Sequence, residues 1–223
     1  MVEAPAVYDW TGFYIGGNLG YAFSGDDRVG LQSSFDYSIN DIDKLELSGV
    51  FGGAQIGADW QWNSLVLGAI ADVEGSTTYD DFTKTFVAKT GADLKVHASD
   101  DIDWWGTVRG RHGWAIDRVL IYGTGGLAWA DIDYDTRGVN LDSGLQFDAR
   151  KHETRLGYAV GGGLAWGIDE NWSVGAEYLY VNFGKYSVKG PVVDALGNRT
   201  GEQLETQATP DFHSIKGFVN FKF

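Results

Sequence analysis

No cysteine occurs anywhere in the 223 residues. That excludes a disulfide framework, a cysteine-based zinc or iron–sulfur centre and a catalytic thiol. Prolines number only three, and no run of about 18 apolar residues exists, so the sequence holds no transmembrane helix. A strand of about 9–11 alternating residues crosses a bilayer as well, so this absence leaves the membrane open. Positive charge is also short. Lys and Arg total 17 against 31 Asp and Glu, a formal charge of −14, whereas a nucleic-acid binder needs a basic footprint. The N-terminus lacks the basic start and apolar core of a signal peptide, so the opening residues read as the beginning of a mature domain.

What is present is glycine, 32 residues, together with nine tryptophans and 14% aromatics. Glycine at that level without aromatics would mean disorder. Alternating with aromatics inside strands, it means curved, crowded sheets instead. The stretch 103–129, DWWGTVRGRHGW, AIDR, VLIYGTGGLAW, organises the rest. Side chains switch faces at every residue of a strand. Trp104, Val108, His112 and Trp114 therefore share one face, and Arg109 and Arg111 the other. A soluble hairpin would put the arginines in water; a membrane barrel would put them in its lumen and the Val/Trp face in lipid.

Taken in order, the chain offers a short lead-in over residues 1–9 and then eight such strands within 10–223. The polar excursions at 24–47, 75–101, 133–153 and 184–211 read as loops. They alternate strictly with short turns at Asn63-Ser64, Asp117-Arg118 and 169–171. Soluble sandwiches mix connection lengths at both ends. An up-and-down barrel in an outer membrane has short periplasmic turns, long extracellular loops and an even strand number. Strands of about 11 residues at roughly 3.3 Å rise and 40° tilt span about 25–28 Å, the height of the apolar band. The expectation is an all-β, eight-stranded antiparallel transmembrane barrel with three short periplasmic turns, four long extracellular loops and both termini periplasmic.

The face pattern assigns residues. Trp60, Trp62, Trp104, Trp114, Trp129, Trp166, Trp172, Tyr178 and Tyr180 fall outward near strand ends, as membrane girdles do. Asp59, Asp72, Glu74, Arg109, Arg111, Arg155, Glu177, Lys216 and Lys222 fall inward, both signs on one face, as a lumen network of ion pairs. Eight strands leave a lumen just wide enough to be filled by side chains, so the network reads as a plug first and a pore lining second. Val219, Phe221 and Phe223 form an outward-facing terminal pattern of the kind barrel-assembly machinery reads.

These residues also carry a resemblance. WTGFYIGGNLGY, VFGGAQIGADWQ, DWWGTVRGRHGW, YGTGGLAW, TRLGYAVGGGLAWGIDENWSVGAEYLY and the terminal FKF resemble the small porin-like outer-membrane β-barrel proteins of alphaproteobacteria, a group of major surface antigens with some haemin-binding members. The resemblance covers every strand and not the loops. It implies outer-membrane location, a role in envelope integrity and host contact, contact with outer-membrane lipid and lipopolysaccharide, and a lead-in able to reach peptidoglycan. Ile70 and Ala165 stand where relatives often carry inward glutamate, and His112 where an aliphatic residue is usual, which implies a reduced lumen network.

Three other patterns were weighed. Gly123 to Ala128 fits a dinucleotide fingerprint, but that motif needs a helix behind it and here a β pattern follows. Asp131, Asp133, Asp135 and Asp142 match calcium-loop spacing, without the glycine at position six or the closing glutamate. They fit better as an acidic rim holding divalent cations against lipopolysaccharide phosphate. His97, His152 and His213 fall at the loop end, where imidazoles could hold haemin or a metal. His112 has no serine or carboxylate partner on its face, so no catalytic set is expected. No cofactor and no nucleic-acid partner are implied. The remaining alternative is a narrow porin or a haemin-type ligand-binding barrel.

Overall fold

The computed structural model describes residues 8–23, 27–33, 37–45, 48–87, 93–184, 186–194, 196, 198–208 and 210–223. Its strands are β1 (Gly12–Phe23), β2 (Asp27–Ser33), β3 (Tyr37–Leu45), β4 (Gly49–Trp62), β5 (Leu65–Val87), β6 (Asp93–Ile116), β7 (Val119–Asn140), β8 (Gln146–Gly167), β9 (Trp172–Asn182), β10 (Tyr186–Val193), β11 (Arg199–Ala208) and β12 (Asp211–Lys222). Eight of them, β1, β4, β5, β6, β7, β8, β9 and β12, pair antiparallel in that order, and β12 pairs back onto β1 to close the ring.

Closure removes every edge of the ring, and the turns explain how it is reached. Asn63 and Asp117 adopt positive φ, 54° and 51°, at the two tight connections β4–β5 and β6–β7. Asn and Asp tolerate that left-handed region better than other non-glycine residues. The β8–β9 connection is held by Asp169, whose carboxylate accepts from the backbone N–H of Asn171 and Trp172 at 2.9 and 2.7 Å. These three turns, Tyr8 and the C-terminal Phe223 lie at one end of the barrel, the turn end. The long hairpins lie at the other.

At the hairpin end the structure departs from the expected loops. β5 and β6 run on together as far as Val87↔Asp93, and β7 and β8 as far as Val139↔Gln146. The excursions 24–47 and 184–211 fold as two further hairpins, β2–β3 and β10–β11. These join edge to edge and onto β8, so the upper wall reads β3-β2-β11-β10-β8-β7-β6-β5. The excursions are strands that are too polar to carry a continuous apolar stripe. Period-2 hydropathy marks a strand only where one face meets an apolar medium. Here the ladder simply continues from the barrel below, and the sequence pattern is silent about it.

Burial is inverted relative to a soluble protein. Phe13, Trp60 and Trp62 are 74–78% exposed on the outer wall, whereas Arg109, Lys216 and Glu74 are at most 1% exposed inside. Interior glycines make room for inward rings. A Cβ at Gly20 would stand 2.4 Å from Phe51, and one at Gly175 2.4 Å from Phe218. Much of the glycine content is this pairing of an empty position with an aromatic across the ladder.

Candidate functional site

Inward side chains form three layers along the lumen. Toward the hairpin end, Phe51, Trp105 and Phe212 meet edge to face with centroids 5.2 Å apart, and Phe183 packs 6.2 Å from Phe212. With Ile102, Ile132, Leu179 and small alanines they form one buried cluster. Toward the turn end a second cluster joins Trp10, Tyr8, Leu120, Tyr122 and Phe218. Tyr8 and Trp10 lie 4.6 Å apart, each at most 5% exposed. The Trp10 backbone N–H donates to Gln61 at 2.8 Å. Within the expected lead-in 1–9, Tyr8 is therefore tucked into the barrel mouth, because its ring finds room over Gly167. Residues 1–7 lie outside the described residues.

Between the two apolar layers lies charge. Asp72 on β5 takes Arg109 at 2.6 Å, Lys216 at 2.8 Å and the Thr107 hydroxyl at 2.6 Å. Glu177 on β9 takes Arg109 at 3.0 Å and the Tyr122 hydroxyl at 3.0 Å. Glu74 takes Lys216 at 3.2 Å and the Asn18 amide at 2.9 Å. Nearer the turn end, Arg111 forks onto both oxygens of Asp59 and lies 5.2 and 5.0 Å from the Tyr14 and Tyr122 ring centroids. Each cation thus meets several acceptors, which buried charge requires. Seven of the nine inward charges expected from sequence share this middle layer.

Two do not. Arg155 sits higher on β8, half-buried, and pairs with Glu153 at 2.8 Å. Lys222 lies at the turn end, its Nζ 4.5 Å over the Tyr8 ring and bonded to the Asp9 carbonyl. Both point inward as their parity requires, but their height along the strand puts them in other layers. Ile70 and Ala165 are also inward, 3% and 2% exposed, and Ala165 belongs to the lower apolar cluster. Face parity alone could not show the neutral partners Asn18, Gln55, Thr107 and Asn220. Gln55 donates to Asn220 at 2.7 Å. Any inward polar residue at the level of the charges was a candidate.

On the outer wall, Trp60, Trp62, Trp114, Trp166 and Trp172 ring the turn end and Trp104 and Tyr178 the hairpin end, all exposed. Trp129 is half-buried because its indole lies over Gly106, where a Cβ would stand 2.4 Å away. Tyr180 is half-buried too, donating to Asp211 at 2.7 Å. His112 stays on the outer wall beside Gly123. Val219 and Phe223 are exposed there, and Phe221 packs 5.1 Å from Trp172.

Among the described residues the acidic and histidine candidates do not gather into one compact ligand set. Asp131, Asp133 and Asp135 stand at alternate positions of one extended strand, β7, so they cannot wrap one ion. His152 pairs with Asp133 at 2.7 Å and approaches Asp131 at 3.4 Å. Asp135 pairs with Arg137 at 2.8 Å, and Asp142 accepts from the Asp93 backbone N–H at 3.0 Å. Among the described residues no group of three or more His, Asp or Glu is disposed to hold a metal. His97, His152 and His213 belong to β6, β8 and β12 and do not converge. The Asp133 and Asp131 carboxylates raise the His152 pKa above the ordinary imidazole value, the Asp133 hydrogen bond most. Asp169, at the turn, is held below the usual carboxylate range by the N–H groups of Trp172 and Asn171.

A closed ring of eight strands with a charged interior and an apolar outer wall is the architecture of an outer-membrane barrel. The sequence profile described as "Outer membrane protein beta-barrel domain" matches residues 1–223. The chain belongs to that family. This outer-membrane barrel is 34% identical over 223 residues to the "31 kDa outer-membrane immunogenic protein" of Brucella melitensis biotype 1, covering 97% of this chain and 85% of the relative. It is 29% identical over 184 residues to the "22 kDa outer membrane protein" of Rhizobium leguminosarum bv. viciae, covering 81% and 69%. Among solved structures, the outer membrane protein OprG of Pseudomonas aeruginosa superposes with a TM-score of 0.56 at 12% identity, covering 97% of this chain and 98% of that one. That likeness concerns the fold alone. The barrel's outer wall is accordingly its lipid face, and the alphaproteobacterial resemblance read from the strands holds at the level of family.

Proposed function

We propose that this barrel is a closed surface protein, anchored in the outer membrane with its turn end in the periplasm. Its work is envelope integrity and host contact through the hairpin tier, not transport. The observation supporting this reading is the layered lumen, in which an ion-paired layer lies between two buried aromatic clusters. The excursions 24–47, 75–101, 133–153 and 184–211 hold 20 acidic and 11 basic residues, so the tier presents net negative charge outward. It would meet lipopolysaccharide through cation-bridged phosphates or through basic partner groups, not by direct contact with phosphate. The buried carboxylates are ion-paired and offer no substrate access, so catalysis has no part in this reading. The terminal Val219, Phe221 and Phe223 are read as the assembly-machinery signal. Any contact with peptidoglycan falls to the residues before Tyr8.

Planar-bilayer recording of the purified barrel tests the reading. The expected record shows no reproducible unitary steps, and steps of constant size would refute the closed lumen. One observation favours a second reading, a haemin-type ligand at the rim. The Tyr178 hydroxyl lies 2.6 Å from Nδ1 of His213, with the rings stacked 5.9 Å apart, and tyrosine and histidine both serve as haem ligands. Haemin titration of wild type against Tyr178→Phe and His213→Ala decides it, since identical curves would remove this reading.

A further inference from the structure

The middle layer of the lumen does not balance. Asp59 and Arg111 neutralise each other, bound fork to carboxylate. Around them remain three carboxylates, Asp72 on β5, Glu74 on β5 and Glu177 on β9, and only two cations, Arg109 on β6 and Lys216 on β12. All five are at most 2% exposed, and on the closed-lumen reading proposed above they have no bulk counter-ions beside them. A buried ionised carboxylate short of a partner is costly, and the usual resolution is that the group becomes neutral.

The contacts single out which of the three it is. Asp72 has both cations and a hydroxyl donor. Glu177 has both cations and the Tyr122 hydroxyl. Glu74 has one cation, Lys216, and the Asn18 amide, both on Oε1. Its Oε2 is buried with no donor. On the same neighbour, Asn18, the amide oxygen Oδ1 is equally buried and equally without a partner. A carboxylic acid and a carboxamide pair by two hydrogen bonds in a ring, one from N–H to carbonyl oxygen and one from O–H to amide oxygen. The first of these is already made at 2.9 Å. The two orphan atoms are those that the second bond would use as donor and acceptor.

We propose that Glu74 is a proton-binding site: its Oε2 carries a proton at neutral pH and donates it to Asn18 Oδ1, closing the acid–amide pair and leaving the layer with two carboxylates against two cations. The proton comes from solvent during folding, before the aromatic layers close. The charged groups facing it are Lys216 from β12, Asp72 from its own strand, Arg109 from β6 and Glu177 from β9. Arg109 and Lys216 are then shared between Asp72 and Glu177, with Glu74 as a neutral acceptor for Lys216.

Infrared spectroscopy of the folded barrel in detergent micelles tests this directly, because a neutral carboxylic acid has a carbonyl stretch that carboxylates lack. Wild type at neutral pH is expected to show that stretch, and Glu74→Gln to lose it. Glu74→Gln should still fold, read as an unchanged heat-modifiable gel shift, because its amide makes the same two bonds to Asn18. Asn18→Ala should keep the stretch but move its frequency, since the acid loses its ring partner. Wild type without the stretch, or a stretch that survives in Glu74→Gln, overturns the proposal. An unmoved frequency in Asn18→Ala overturns the pairing.

Discussion

Replacing Arg111 by methionine removes one charge from a pair that has little help from water. Arg111 and Asp59 are 4% and 6% exposed, and the guanidinium reaches both carboxylate oxygens. The methionine fills much of the same volume, so the loss is dominated by a carboxylate left buried without its cation. Breaking a buried pair from one side costs on the order of 3–5 kcal/mol. The lost contact with Tyr14 and Tyr122 adds up to about 2 kcal/mol where the cation is desolvated. At 1.36 kcal/mol per decade, even the lower figure is about a hundredfold in the unfolding equilibrium. Asp59→Asn should fall at the mild end, because the two rings still face the cation. The double variant Asp59→Asn/Arg111→Met removes both charges and should be more stable than the sum of the single losses by about 1–3 kcal/mol. Urea unfolding of the barrel folded into lipid vesicles, followed by tryptophan fluorescence and gel mobility, measures all four corners of the cycle. A cost below about 1 kcal/mol for Arg111→Met, or strict additivity, would show that the pair is solvated and the layered-lumen argument wrong.

Trp105→Ala opens the upper aromatic layer and should cost about 3–5 kcal/mol, read as a lower urea midpoint; a neutral variant would mean the layer is not packed. Gly161→Ala places a Cβ 1.9 Å from the Tyr178 carbonyl oxygen, whereas Gly125→Ala finds its nearest atom at 3.7 Å. The first should be destabilising by about 1–3 kcal/mol and the second tolerated, and equal behaviour would refute the glycine-for-space argument. His152 has a raised pKa in the folded state, so its contact with Asp133 is complete below the ordinary imidazole pKa and is lost as pH rises through the raised value. An NMR titration should show the His152 pKa falling toward ordinary in Asp133→Asn, and an unchanged titration would deny the contact. Asp169 is the opposite case: with its pKa lowered in the folded state, the turn contact contributes fully above the usual carboxylate pKa and is lost as pH falls through the lowered value. Broadened Asn171 and Trp172 amide signals at neutral pH in Asp169→Ala would report the same loss.

Much of the barrel was legible because a membrane makes the strand period visible. Phe13, Ile15, Leu19 and Tyr21 face lipid and Tyr14, Asn18 and Ala22 face the lumen, and each alternation is printed in the residue types. The same parity put Asp72, Arg109, Glu177 and Lys216 inside without any knowledge of their partners. It turned Arg155 and Lys222 inward as well but could not show that they lie outside the middle layer, because parity specifies a face and not a height, and ion pairing needs both. It did not reach the hairpin tier, where strands β2, β3, β10 and β11 are too polar to mark a continuous apolar stripe. The histidines could not be judged at all from position in the chain, since His97, His152 and His213 belong to three strands that are not mutual neighbours.

The sequence by itself determined the eight strands of the ring, the short turns between them, the inner and outer faces and, with them, the membrane. These follow from local periodicity, which the side-chain alternation of a strand writes directly into residue order. Only the tertiary structure decided that Glu74 stands against Asn18 with one bond made and two atoms unpaired, that Tyr8 and Trp10 cap the turn end, and that the polar excursions stack into a second wall. Those depend on ladder register and on which strands close the ring, relations between residues up to about two hundred positions apart that no local pattern encodes.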